Sequence, residues 1–348
     1  MSKKVLSNKE RATKHAEEIS NYFVPKLHTQ DPQLLAEIRK MPIRDIISIW
    51  RNANYAMNKG IFVGVDREAL KAGETTAKRF DASISQLEIY IIDRLKKADA
   101  LWTITDKITQ MPYFDHRNYV WIFTEREIVQ DCLVYSQQQG RTTFEITEIK
   151  KEEIYNFLGR LTYIKGAEMF VVDMGAYASI NIPGKDMIDE PDFEYVPETE
   201  RPVVNPDLFR MVAQYQQEKY YLVDYPGKAE ALEELENKAA DAFCKAGFLV
   251  PVIGMERVIR NTKTTADISK KMIKVPFLSR GEGENKQTFT PVFTDWDEFK
   301  KMYSPEEFGG LVWTAEDLLD SQDDMFVVNP ASLRYEISKQ KVREILNK

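Results

Sequence analysis

The residue best suited to acid–base chemistry is His116, in the run Tyr113-Phe114-Asp115-His116-Arg117, between a carboxylate and a guanidinium. An imidazole titrates near neutrality, so a loop histidine in this setting can accept or donate a proton, or simply face water. Thr124 and Thr294 form a second set, in Phe123-Thr124-Glu125-Arg126-Glu127 and Phe293-Thr294-Asp295-Trp296-Asp297. In a functional reading each threonine touches a ligand at a strand end. In a structural reading the phenylalanine ends a buried strand, the threonine caps the next helix, and an acid reaches back to the cap. Trp102, Trp121, Trp296 and Trp313 fall in or beside expected strands, where they line a groove or fill a core. His116, Trp121, Thr124, Thr294 and Trp296 are therefore the candidate ligand contacts.

Other chemistry finds little support. Gly281-Glu282-Gly283 lacks the third glycine and the Lys-Ser/Thr of a phosphate loop, and its glutamate repels phosphate. No GxSxG, HExxH or Ser/Lys nucleophile pattern occurs. Cys132 and Cys244 form no CxxC pair, and His15, His28 and His116 are too scattered for a zinc site. The cysteines read as buried thiols in a reducing cytoplasm, and neither a metal, a cofactor nor a catalytic residue is expected.

The chain has 348 residues with 48 Lys plus Arg against 55 Asp plus Glu, so 48 − 55 gives −7. Such a chain matches phosphate backbones poorly, which argues against nucleic acid. No apolar run approaches the roughly 20 residues of a membrane span, and Met1-Ser2-Lys3-Lys4 is followed by no apolar stretch of a signal peptide. A cytoplasmic protein without a membrane role is the expectation.

The elements that must position these residues begin with a helical region, 1–82. Ser7-Asn8-Lys9-Glu10 reads as a capping box and Asp31-Pro32 as a helix start. Ile43, Ile46, Ile47, Trp50, Ala53 and Met57 make a helical apolar stripe that Gly60 ends. Beyond it the chain repeats. Leu87-Glu88, Asp93 and Lys97-Ala98 match Leu235-Glu236, Asp241 and Lys245-Ala246. Met111-Pro112-Tyr113-Phe114 matches Val275-Pro276-Phe277-Leu278, and Ile122-Phe123-Thr124 matches Val292-Phe293-Thr294. Glu168-Met169-Phe170-Val171-Val172-Asp173 matches Asp324-Met325-Phe326-Val327-Val328-Asn329, in the same order. Two divergent copies, 83–183 and 228–348, are expected, joined by an acidic proline-rich linker at 184–227. Within the linker Asn205-Pro206 starts a helix with Leu208, Met211, Val212 and Tyr215 on one side. Ser83-Ile84-Ser85-Gln86 reads as the cap opening the first copy, and Thr314-Ala315-Glu316-Asp317 as a cap in the second, with Lys150 at its counterpart. Apolar, β-branched and aromatic runs predict strands over 101–104, 119–123, 143–146 and 169–173, then 248–252, 290–293, 311–313 and 325–328. The fold class is α+β, a mixed or mostly antiparallel sheet in each copy with helices on one face.

Val275-Pro276-Phe277-Leu278, then Pro291-Val292-Phe293-Thr294, then Phe326-Val327-Val328-Asn329-Pro330 resemble the SseB family, named for enhanced serine sensitivity in bacteria. The first copy departs from the pattern, with Trp121-Ile122 for Pro291-Val292 and Asp173-Met174-Gly175 for Asn329-Pro330-Ala331. The resemblance implies a bacterial cytoplasmic protein with an α+β fold in each half, and it carries over no catalytic residues. The expected function is non-catalytic and regulatory, the binding of a protein or peptide partner. The alternative is a small-molecule sensor or enzyme with a site between the copies, using His116 or linker carboxylates. No residue pattern sets an oligomeric state.

Overall fold

The computed structural model describes residues 8–197, 201–253, 274–282 and 286–347, and among these it holds thirteen α-helices and twelve strands. Ser7, with the capping box expected there, and Gly283 lie outside the described residues. The chain opens with α1 (Asn8–Phe23), a 3₁₀ turn, α2 (Pro32–Lys40), α3 (Ile43–Lys59), α4 (Arg67–Ala72) and α5 (Thr75–Lys96). Asp31 starts α2 as expected, accepting the Gln33 N–H at 2.9 Å. Gly60 ends α3 in the left-handed region at φ 59°. Burial of Ile46, Ile47, Ala53 and Met57 fixes α3 against its neighbours, each large side chain contributing roughly 1.5–3 kcal/mol.

Ser83 is not a cap. It lies inside α5, where its hydroxyl donates to Leu27 O at 2.8 Å and Arg79 O at 3.1 Å. Ala77, Phe80, Ile84, Leu87, Ile91 and Leu95 are all buried. Their helical spacing continues back through Ser83, so burial overrides the local cap signal.

The first sheet contains β1 (Ala100–Asp106), β2 (Met111–Pro112), β3 (Tyr119–Phe123), β4 (Phe144–Lys150), β5 (Met169–Val172) and β6 (Ile180–Pro183). Its order is β4-β1-β3-β5-β6, with β2 beside the end of β1. The β3–β5 pair is parallel and the remaining pairs are antiparallel. α6 (Arg126–Gln138), α7 (Lys151–Tyr163) and α8 (Gly184–Met187) complete this half. In β3, Val120 and Ile122 join the main core, whereas Trp121 and Phe123 face the other way, onto α6. Helices therefore cover both faces, not one. Every residue of Tyr119–Phe123 is apolar or aromatic, so neither face of this strand can be left to water.

The second half runs α9 (Pro206–Lys219), α10 (Lys228–Cys244), β7 (Gly247–Ile253), β8 (Leu278–Arg280), β9 (Gln287–Val292), α11 (Trp296–Lys300), β10 (Phe308–Thr314), α12 (Ala315–Leu319), β11 (Met325–Val328), β12 (Tyr335–Ser338) and α13 (Lys339–Leu346). β10 pairs antiparallel with β7, and Leu249 exchanges two backbone hydrogen bonds of 2.9 Å with Phe293 just past β9. β9 lies parallel to β11, and β11 antiparallel to β12. The order β10-β7-β9-β11-β12 is that of the first sheet. The difference is at the edge: β8 pairs with β9, whereas β2 pairs with β1. Thr314 caps α12 with Asp317 reaching back, while at Lys150 only the Glu153 carboxylate reaches the cap N–H, at 3.4 Å.

One contiguous apolar core joins α3, α5, α7, α9, α10 and the inner faces of both sheets. The segment between the halves takes part in it. Met187, Ile188 and Val203 are buried, and α9 is enclosed on nearly every side, Gln214, Gln216 and Gln217 included. Gln214 donates to Asp115 O at 2.7 Å and Gln217 to Pro112 O at 3.1 Å, while Gln216 donates to Leu333 O at 2.7 Å. A glutamine amide satisfies backbone carbonyls without bringing a charge inside, so α9 ties a loop of each half to one rod. A one-sided stripe of Leu208, Met211, Val212 and Tyr215 underestimates this helix.

Candidate functional site

The largest departure between the halves is on the outer sheet faces, away from the common core. In the second half Phe293, Trp296, Phe299, Tyr303 and Phe308 interlock there. Trp296 and Phe299 centroids are 4.9 Å apart, Phe293 and Tyr303 5.7 Å, and Tyr303 and Phe308 4.8 Å. Gly310 makes room for Trp296: a Cβ at that position would lie 2.9 Å from the indole.

Aligning Phe123 on Phe293 puts Arg126, Val129 and Leu133 where the second half has Trp296, Phe299 and Tyr303. Strand register puts Ile146 at Gly310. Val129 and Leu133 pack there with Ile104, Phe123, Ile128 and Phe144 as a smaller core, and a cleft of about 560 Å³ lies beside it, against α6. Tyr113, Trp121, Cys132, Tyr135 and Phe144 line it, with Met174 and Tyr177 on the β5–β6 loop and Tyr221 beyond α9. Tyr113 packs edge-on to Trp121 at 5.0 Å and meets Phe144 at 4.9 Å. The Trp121 Nε1–H points to the buried Asp115 carboxylate at 3.4 Å, so the indole is held in place.

One end of the cleft is closed by residues 220–225. Arg141 donates to Gln217 O at 3.0 Å and to Glu218 at 2.8 Å, and its guanidinium lies 3.7 Å from the Tyr221 ring centroid. The Tyr221 hydroxyl donates to Gln139 O at 2.6 Å. At the opposite rim Arg44 of α3 pairs with Glu125 at 3.0 Å.

Ionisable groups here are not poised for neutral-pH nucleophilic chemistry. Burial pushes the Cys132 thiol up to about 11, against a smaller pull from Ser136, which keeps it protonated. Burial also raises the Tyr113 phenol, which Arg141 only partly offsets. Among the described residues no group of three or more His, Cys, Asp or Glu is placed to hold a metal ion.

The five candidate contacts do not converge. Trp121 lines the cleft. His116 is exposed at the tip of its loop, while its neighbour Asp115 is buried and accepts the Arg117 and Tyr119 N–H groups at 2.8 and 3.1 Å. Trp296 belongs to the ring cluster of the second half. Thr124 and Thr294 are neither ligand contacts of the cleft nor helix caps. Asp173 (φ 56°) follows β5 and accepts both the Thr124 N–H and hydroxyl at 2.8 Å. Asn329 (φ 47°) follows β11 and does the same job, accepting from Thr294 N–H at 3.1 Å and donating to its hydroxyl at 2.9 Å. The residue that caps α11 is Asp295, which takes the Asp297 and Glu298 N–H groups. Asp and Asn tolerate the left-handed turn that aims the side chain back across the parallel pair, and this outcompetes the simple cap. Burial lifts the Asp173 carboxyl to about 6 despite the two Thr124 hydrogen bonds.

Sequence reasoning missed Tyr113, Cys132, Tyr135, Phe144 and Tyr221. No local spacing in the sequence marks these positions as one site, because they come from the β2 region, α6, β4 and the segment after α9.

A second groove, about 730 Å³, lies between the halves beside Lys165, Glu298 and Lys301. Lys165 is buried and bonds Asp295 at 3.2 Å and Glu298 at 3.0 Å. Burial opposes the Glu298 charge, but Lys165, Lys301 and the Ser332 hydroxyl together hold its carboxyl below the ordinary glutamate range. A cation of the first half thus neutralises acids of the second.

The fold and cleft define an α+β protein with two like-ordered sheets and an aromatic pocket. Residues 229–344 match the family model described as the SseB protein N-terminal domain. The match runs from α10 into α13. No curated protein and no solved structure matches the chain. Among the described residues no helix is long and apolar enough to cross a membrane.

Proposed function

We propose that the protein is a non-catalytic binding module made of two divergent copies of one fold, in which the first copy binds a protein or peptide partner through the aromatic cleft. The shared strand order and the paired Thr124–Asp173 and Thr294–Asn329 turns support the duplication. The binding reading rests on one observation: beside the outer core of its sheet the first half has a concave, mainly aromatic cleft, lined by Tyr113, Trp121, Tyr135, Phe144 and Tyr221. Concave, mainly apolar sites with a few polar groups are where ligands seat. The reading of a sensor or enzyme between the halves would use the second groove. It is the weaker one, because Lys165, Glu298 and Lys301 there are already bonded to one another and His116 does not line that groove.

The test is selection of a displayed random-peptide library on the immobilised full chain, with parallel selection on Cys132→Trp, which fills the cleft. Peptides sharing an apolar anchor should enrich on the native chain and not on the variant. Equal enrichment on both rejects the cleft as the binding site.

A further inference from the structure

We infer that the first-half cleft takes a basic segment of a partner protein, a lysine or arginine whose stem lies on Tyr113, Trp121 and Tyr135 while its head reaches Glu127 and Asp131. This rests on the binding reading above and adds the chemistry of the occupant. The charges around the cleft carry the argument. Both cations that line it are already engaged, Arg44 with Glu125 at 3.0 Å and Arg141 with Glu218 at 2.8 Å. Glu127 and Asp131 line the same cleft, are exposed, and stand one turn apart on α6. Neither forms an ion pair with any described residue.

The rings point the same way. Aromatic faces attract cations, most of all Arg and Lys heads partly removed from water. These rings already do so once: the Arg141 guanidinium lies 3.7 Å from the Tyr221 centroid and 5.4 Å from that of Tyr113. Tyr135 keeps 64% of its surface exposed beside the two free carboxylates, a platform for an alkyl stem. An acidic occupant would face Glu127 and Asp131 directly, and a neutral one would leave them unused. The net charge of −7 further favours encounter with a cationic segment.

The experiment is isothermal titration of the full chain with a short peptide alternating lysine with leucine, against the same peptide with glutamine, or glutamate, for lysine. The lysine peptide should bind at least roughly tenfold more tightly than the glutamine one, the size of a partly desolvated cation–π contact with an ion pair. Glu127→Gln combined with Asp131→Asn should remove that advantage, and Cys132→Trp should abolish binding. If circular dichroism shows Cys132→Trp misfolded, Tyr135→Ala, at an exposed site, decides instead by weakening the lysine peptide roughly tenfold. Equal binding of lysine and glutamine peptides, both lost on filling the cleft, overturns the cationic occupant and leaves the cleft reading standing. Absence of binding by all three peptides, or binding untouched by cleft variants, overturns both.

Discussion

The second half fills its outer sheet face with interlocking rings, whereas the first half fills the corresponding face with a smaller core and keeps an aromatic cleft beside it. Where Trp296, Phe299 and Tyr303 meet over Gly310, the first half has Arg126, Val129 and Leu133 over Ile146. The comparison points to the place where the two halves differ most in what packs beside α6 and α11: rings in one, a smaller core and an open aromatic cleft in the other.

The halves also differ in who neutralises whom. Asp295 and Glu298 of the second half depend on Lys165 of the first, whose side chain is 4% exposed. At the counterpart of Asp295 the first half has Glu125, paired with Arg44 at a partly exposed site. Lys165→Met should therefore have the largest effect, a loss of roughly 3–5 kcal/mol in urea unfolding, because it leaves buried Asp295 without a cation and Glu298 with Lys301 alone. Arg44→Met should cost no more than about 1 kcal/mol. Similar losses at the two sites would mean the second half does not lean on the first.

The rings give the next contrast. Trp296→Ala should cost roughly 3–4 kcal/mol, as expected for emptying a packed ring site. Trp121→Ala should cost about half as much, since part of its indole already faces the cleft. Differential unfolding in urea measures both, and equal costs would break the distinction between closed and open faces.

The turn residues offer a subtler test, because the first half uses Asp173 where the second uses Asn329. Burial raises Asp173 to about 6, with Glu125 adding to the rise and Arg44 opposing it. Its folded value is above the unfolded one near 3.9, so this stability is fully present below about pH 4 and is lost as pH rises through 6. Asp173→Asn should remove that loss, leaving the variant up to about 3 kcal/mol more stable than the native chain at pH 8. Thermal melts across pH 4–8 decide it. An unchanged pH slope would show that Asp173 does not titrate in this window.

Much of this architecture was legible in the residues. β3 and β11 have their expected limits, Thr314 caps its helix, and Gly60 ends α3, because burial pattern and local chemistry agree there. Ser83 misled because a good cap sequence lies on a helix whose apolar spacing extends further back. The apolar stripe Leu208, Met211, Val212 and Tyr215 marks only one side of α9 because Gln214, Gln216 and Gln217 are polar, and only their carbonyl partners from both halves make them interior residues. The threonines drew attention through repetition, but their partners Asp173 and Asn329 lie far along the chain and meet them only through the parallel strand pair. Of the cleft, Trp121 alone was singled out. Its other walls come from α6, a loop beyond β5 and the segment after α9, a convergence that no local spacing encodes.

That last segment supplies a small effect and the most direct test of how the cleft is bounded. Gly140 has φ +89°, and a Cβ there would lie 2.1 Å from a Val223 methyl. Gly140→Ala therefore meets both a left-handed backbone and a side chain of the 220–225 strap, for a cost of about 1–2 kcal/mol. The exposed strap is the easier partner to move, with Leu222 80% accessible. Its displacement takes Tyr221 off Arg141 and Gln139 and lengthens the cleft. Amide hydrogen exchange should accelerate at 220–225 and stay unchanged in β7–β12. Acceleration spread over both halves would instead show that the strap holds the shared core, and that the contrast between a sealed and an unsealed face depends on it.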